Sequence, residues 1–370
     1  MRMGPKTGFA SLAERIEWPL AIVVVLLAAL GLLNLRNASL NLPASFHLTQ
    51  ALWYLIGTGV VAVVTVIRTR FFQRWAYVGY GAVILLLIAV AIFGTVLNGS
   101  KRWLSFGSFL MQPSELLKIA VIVVTARYFN DRNKEGSYAL RELVAPTAVV
   151  LAGVFWVFNQ PDLGTSLVIL AIYGAMVLFE GVRWQSLMAL AIAGIIALPL
   201  GYTFGLKEYQ RDRISSFMNL DADTHGQSWQ VRQSMIAFGS GRLWGKGHEE
   251  GTQVQKGFVP EQENDFIAAN WGEERGFMGM LLLLGLYFAF IAAALNVSRK
   301  ARDRYGVLVG VGVAALFFWH TVVNLGMVTG MLPVVGLTLP MLSYGGSSLL
   351  TMLAAVGLLF NVSFHRPSYG

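Results

Sequence analysis

The chain has 370 residues, 55% of them hydrophobic and 13% charged, with no cysteine and a formal net charge of +8. A soluble domain carries roughly 25% charged residues; half that share, a mean hydropathy of +0.59 and apolar runs of bilayer length exclude a soluble enzyme and predict a polytopic membrane protein. The missing cysteines exclude disulfides and thiolate metal sites, and the basic residues sit in short loops, which points to membrane topology and away from nucleic acid.

Ten spans are predicted, at about 19–35, 49–67, 75–97, 114–128, 140–159, 163–180, 185–206, 265–296, 305–330 and 342–364. The first follows Arg2, Lys6 and Arg15, is longer than a signal-peptide core and lacks an A-x-A exit, so it is expected to be retained. With the N-terminus in the cytoplasm, sixteen Lys and Arg residues fall on the inner side. Only Arg36, Lys101 and Arg102 fall in short outer loops. The long loop 207–263, between spans seven and eight, is exempt from the charge rule because long loops translocate regardless. The expected fold is therefore an all-α polytopic bundle of about ten transmembrane helices, one integral-membrane domain over 1–370. Both termini are expected to be cytoplasmic and the long loop extracytoplasmic. The stretch Met331 to Ser348 is too apolar for an exposed loop and is expected to pack back into the protein.

Once the inner segments and the long loop have taken their acids, five remain in or at the outer mouth of the bundle: Glu115, Asp162, Asp265, Glu273 and Glu274. Charges at membrane depth are costly and are functional candidates by default. Glu115 and Lys118 are i,i+3 and share a helix face behind a candidate N-cap, Ser114. The pair reads either as a staple between helices or, with Arg102, as the lining of a cavity for a phosphate-bearing substrate. Asp162, in a Gln-Pro-Asp turn, suits a cap on the sixth span, worth ~1 kcal/mol, and a binding role is compatible with that. The long loop brings Arg211, Gln233 and Ser234 to the outer face. Its glycines at 241, 245 and 247 do not fit a phosphate-binding loop. Asp265 lies where the loop becomes helix, twelve residues ahead of an uncharged run that starts at Phe277. It reads as a reactive carboxylate or as a first-turn acid favoured by the helix dipole. The five histidines show no metal-binding spacing.

Taken together, KRWLSFGSFLMQPSELLKIA, QPDLGT, EYQRDRISSF, GTQVQKGFVPEQENDFIAANWGEERGFMG and NLGMVTGMLPVVGLTLPMLSYGGSS resemble the SEDS family (shape, elongation, division and sporulation). The wording is nearest its RodA-type elongation members. The motifs run in family order from residue 101 to 348. The resemblance implies a peptidoglycan glycosyltransferase of the cytoplasmic (inner) membrane that polymerises lipid II on the outer face. It implies work beside a class B penicillin-binding protein in an elongation complex. The family's essential acid, in P-E-x-x-x-D-F, falls on Asp265; Glu115 and Lys118 match its cavity residues. Asn264 and Trp229 depart from the usual Thr and Tyr.

On this reading Asp265 is the general base on a sugar hydroxyl, transfer inverts, and undecaprenyl pyrophosphate leaves. Arg102, Lys118, Arg211 or a divalent cation, Mg2+ or Mn2+, would steady the developing charge. The competing expectations are a lipid II flippase and a non-catalytic scaffold of the cell-wall complex.

Overall fold

A computed structural model describes residues 16–41, 45–97, 100–107, 109–132, 134–200, 208–218 and 226–366. Arg2, Lys6 and Arg15, and the 201–206 end of the seventh predicted span, lie outside the described residues. Apolar runs form helices because, with no water in hydrocarbon, each backbone N–H and C=O must be paired within the segment. The first three are α1 (Trp18–Ala38), α2 (Phe46–Val66) and α3 (Thr69–Phe93). After a small sheet come α4 (Pro113–Arg132), α5 (Leu140–Asn159), α6 (Leu163–Glu180) and α7 (Trp184–Leu200). The long loop holds α8 (Glu208–Met218), α9 (Gln227–Gly241) and α10 (Thr252–Gln255). The chain closes with α11 (Ile267–Arg299), α12 (Arg304–Val328) and α13 (Gly346–Phe364).

Eight described helices, α1, α2, α3, α5, α6, α11, α12 and α13, are long and apolar enough to cross a bilayer. The other two predicted spans correspond to α4, which carries five charged residues, and α7, whose apolar part runs over 184–196. The protein is a multi-pass helical membrane protein. Its centre is α12 and α13, whose apolar windows are 72% buried inside the protein, against 11% for α2. α13 lies along α2, and α12 is flanked by α11, α6 and α4.

Helical periodicity did not foresee the segment between α3 and α4. The third predicted span overruns: α3 stops at Phe93, where Lys101 Nζ caps the last turn by donating to the carbonyls of Ala91 and Ile92 (3.0 and 2.9 Å). Strands β1 (Thr95–Leu97), β2 (Ser100–Phe106) and β3 (Phe109–Met111) then form an antiparallel meander in that order, with Thr95 opposite Trp103 and Leu104 opposite Met111. Ser114 does not cap α4. The helix already starts at Pro113, and the Ser114 hydroxyl is buried with no partner among the described residues.

The expected return of the 331–348 loop is seen. Its irregular backbone is paired by side chains from the helices around it. Gln50 Nε2 donates to the Ser343 carbonyl (2.9 Å), the Tyr287 hydroxyl to Pro340 (2.7 Å) and the Tyr54 hydroxyl to Met341. Non-helical backbone at membrane depth needs such protein partners.

α11 is broken at Gly276 (φ 62°, ψ −161°). The lost helical bonds are replaced by the glycine-rich stretch after α9. The amides of Phe277 and Met278 donate to the carbonyls of Arg242 and Leu243 (2.8 and 3.0 Å). The carbonyls those amides would have used, Glu273 and Glu274, accept instead from the amides of Lys246 and Gly247 (3.0 and 3.2 Å). The glycines at 241–247 therefore splice loop backbone into a broken helix, and these two amides and two carbonyls are paired again. A Cβ on Gly276 would lie 2.3 Å from the Gly245 nitrogen. Gly276→Ala is expected to cost on the order of 1–3 kcal/mol or more and to lower the thermal unfolding midpoint in detergent. Gly285→Ala, with no atom within 4 Å of the added methyl, should leave the midpoint unchanged or slightly raised.

Candidate active site

Asp265 is not in the first turn of a helix. α11 begins at Ile267 after the N-cap Phe266, and no Asp265 side-chain cap forms. The residue closes the turn Glu261–Phe266, in which the amides of Asn264 and Phe266 both donate to the Glu261 carbonyl (3.0 and 3.2 Å). Its main chain is fixed from α12, where Asn324 Nδ2 donates to the carbonyls of Asp265 (2.8 Å) and Leu337 (2.6 Å). One amide thus holds the Asp265 turn and the returning loop together. That loop touches the acid itself: the position of a Cβ on Gly336 is 3.4 Å from Asp265 Oδ2, and Gly336 has φ +71°.

The Asp265 carboxylate is half-buried, and among the described residues no side chain or amide donates a hydrogen bond to it. Loss of solvation pushes its pKa up to about 7; the negative charges of Glu261 and Asp162 push the same way, while Arg213 and Arg102 pull it down. A carboxylate with free lone pairs and a pKa near neutrality is suited to taking a proton.

Those charges come from four separate elements. Arg102, on β2, is spread over the turn between α5 and α6: Nε donates to the Gln160 carbonyl (3.0 Å), an Nη to the Pro161 carbonyl, and the guanidinium lies 3.8 Å from Asp162 Oδ1. Asp162 caps α6 as expected, accepting from the Thr165 amide (3.2 Å), and also accepts from Gln112 Nε2 (3.2 Å). The cap and the charge facing Asp265 are thus the same side chain. Arg211 and Arg213 lie on α8, and Arg213 is the one that acts on Asp265. On α9, Gln233 is half-buried, and Ser234 is committed to structure: its hydroxyl donates to the Val328 carbonyl of α12 (2.8 Å).

The Glu115–Lys118 pair forms, at 2.7 Å, and Lys118 is fully buried. Lys118 Nζ is also 2.9 Å from Nε2 of His320 on α12, whose Nδ1 is 3.1 Å from the Thr338 carbonyl. His320 and Asn324, one turn apart, make a polar face on α12 that holds Lys118 on one side and the Asp265 turn on the other. Neither residue was singled out from the sequence. The available signal was two polar residues at i,i+4 inside an apolar helix.

Glu273 and Glu274 are not at this site. Glu273 is fully buried and accepts from Lys246 Nζ (2.5 Å) and the amides of Gln253 and Val254 (2.9 and 3.1 Å). Glu274 accepts from Asn37 Nδ2 (2.8 Å) and the Glu249 amide (3.2 Å). Both clamp the end of the long loop onto α11, and Glu273 is not among the charges that act on Asp265.

The chain matches the cell cycle protein family FTSW_RODA_SPOVE over residues 17–368. It is 38% identical over 318 residues to the peptidoglycan glycosyltransferase MrdB of Escherichia coli K12, covering 84% of each chain. It is 34% identical over 357 residues to stage V sporulation protein E of Bacillus subtilis, covering 93% of this chain and 96% of that one. Its fold matches a chain in a structure of a peptidoglycan synthase complex that coordinates polymerization and crosslinking, with a TM-score of 0.83 at 29% identity over 95% of this chain and 98% of that one. It also matches the crystal structure of the Thermus thermophilus rod shape determining protein RodA, with a TM-score of 0.70 at 28% identity over 95% and 97%.

Removing one partner of a buried ion pair strands the other charge. Lys118→Met should therefore cost about 3–5 kcal/mol, read as a lower unfolding midpoint in detergent. The double variant Glu115→Leu with Lys118→Met should regain most of that loss.

Proposed function

The chain belongs to the FtsW, RodA and SpoVE family of cell cycle proteins, and from that premise we propose how it works as a peptidoglycan glycosyltransferase: it extends glycan strands from lipid II, with Asp265 as the general base. The observation that carries the reading is the Asp265 carboxylate, short of solvent, free of hydrogen-bond donors among the described residues and facing Arg213 and Arg102. Asp265 takes the proton of the acceptor sugar's 4-hydroxyl as that oxygen bonds to the donor's anomeric carbon. The bond from that carbon to the diphosphate oxygen breaks, α becomes β, and undecaprenyl pyrophosphate leaves. Diphosphate is a good leaving group, so the site needs cations more than a strong acid. Arg213 and Arg102 stand where they can serve; Lys118, sealed between Glu115 and His320, acts from behind as a brace.

A divalent cation, Mg2+ or Mn2+, belongs to this reading as a companion of the substrate's diphosphate. Among the described residues no group of three or more His, Asp or Glu side chains is placed to hold one, and no step is assigned to it. The charge distribution supports an inner-membrane protein with both termini inside and the Asp265 end facing outward. The match to a chain of a peptidoglycan synthase complex supports pairing with a class B penicillin-binding protein that crosslinks the strands, within an elongation complex. The flippase and scaffold alternatives gain less support. The flippase expectation relied on Glu115 and Lys118 lining a polar path, and they are packed shut.

The test is polymerisation of fluorescent lipid II by the purified protein with its partner, the partner's transpeptidase blocked. Asp265→Asn should remove about 10²–10⁴-fold of the rate, the typical contribution of a general base, while the protein stays monodisperse and folded. Near-normal polymer from that variant would move the base elsewhere.

A further inference from the structure

A groove of about 410 Å³ runs between α1 and α11, and none of the charges that act on Asp265 lines it. Its volume is inside the roughly 300–1,000 Å³ range of small-molecule sites. The floor is apolar and faces outward: Leu30 and Leu33 from α1, Met278 and Leu282 from α11, with Leu33 51% and Leu282 55% exposed. The mouth is polar and aromatic, with Arg275 and Trp271 on one wall and Asn37 on the other.

Arg275 is the unusual member. It sits two residues before the uncharged run from Phe277 to Leu295, so its guanidinium lies at the hydrocarbon boundary of the loop-bearing end. Among the described residues it has no hydrogen-bond acceptor and no ion pair within 4 Å; the Glu274 carboxylate feels its charge only through space, and its guanidinium carbon lies 5.8 Å from the Trp271 ring centroid. Its sequence neighbour Glu274 turns away, to Asn37 and the Glu249 amide. Five N–H donors at a membrane boundary need an acceptor, and a guanidinium fits a phosphate bidentately. A second polar atom is also unmatched. Asn37 is 3% exposed, and its Oδ1 is buried without a hydrogen-bond partner among the described residues. It is an acceptor in want of a donor.

We propose that this groove is a resident site for one anionic, hydroxyl-bearing phospholipid of the phosphatidylglycerol class. The phosphate lies on Arg275, a headgroup hydroxyl donates to Asn37 Oδ1, and one acyl chain lies on the Leu30, Leu33, Met278 and Leu282 floor. The charge decides the occupant. An unpaired cation above an outward-facing apolar trough matches a lipid with one phosphate, and Trp271 is the residue type that favours headgroup depth. The reacting lipid is a weaker fit, because none of Arg102, Asp162, Arg213 or Gly336 lines the groove.

Native mass spectrometry of the purified full-length protein in detergent tests this. The titrants are dioleoyl-phosphatidylglycerol, dioleoyl-phosphatidylcholine and a polyprenyl diphosphate. Wild type should hold one phosphatidylglycerol in preference to phosphatidylcholine. Arg275→Gln should lose that preference, with apparent affinity down by about tenfold for a lost charge-assisted contact. Should Arg275→Gln not purify as a single species, Leu33→Trp is read the same way, since it keeps the guanidinium and fills the chain-binding floor. Equal binding of the two phospholipids by wild type would overturn the proposal, as would unchanged phosphatidylglycerol binding in both variants. Displacement of the phospholipid by equimolar polyprenyl diphosphate would give the groove to the reacting lipid. Its loss on adding the partner transpeptidase would give it to a partner helix.

Discussion

The arrangement depends on one side-chain amide. Asn324 donates through a single nitrogen to the carbonyls of Asp265 and Leu337. Those carbonyls belong to the two irregular segments that form the site, one ahead of α11 and one ahead of α13. Neither segment satisfies its own backbone within a helix or sheet, and buried backbone groups need partners. Helices packed around the two segments therefore supply the partners. α12 contributes Asn324 and His320, α2 contributes Gln50 and Tyr54, and α11 contributes Tyr287. Such a frame keeps a carboxylate in place with no hydrogen-bond donor to it among the described residues, and loss of solvation raises its pKa.

The bundle separates charges that hold the fold from charges that face the site. Glu273, Glu274 and the Glu115–Lys118 pair are saturated or sealed. They pin the long loop to the broken α11 and α4 to α12. Asp162 and Arg102 do both jobs, since the turn they knit together also presents their charges to Asp265. The break at Gly276 belongs to the same design. By accepting loop backbone into the helix, it ties the end of the long loop to α11 and gives the amides of Phe277 and Met278 new partners.

Much of this was legible in the sequence. Apolar runs gave the helices. The acids left over after the loops were assigned gave all five of the buried or half-buried carboxylates discussed here, and the Gln-Pro-Asp turn gave its cap. The illegible parts share a cause: they depend on partners distant in sequence. The strands over 95–111 are short and flanked by apolar helix, so span periodicity ran on through their start. The second partner of Lys118, His320, lies 202 residues away, out of reach of any local pattern. Glu273 and Glu274 had candidate status but no role until the amides of a loop twenty residues upstream were seen to reach them. Asn324 gave no signal beyond its polarity in an apolar helix.

On the proposed mechanism Asp265, kept short of water and donors, is a base that titrates near neutrality. The direct measurement is the pH dependence of kcat/KM for lipid II polymerisation by the protein with its partner, since that ratio reports the titration of the free enzyme. The expected rate falls as Asp265 takes up its proton below an apparent pKa of about 7 and levels off above it. A rate already flat above about pH 5, the behaviour of a carboxylate in its ordinary range, would contradict it.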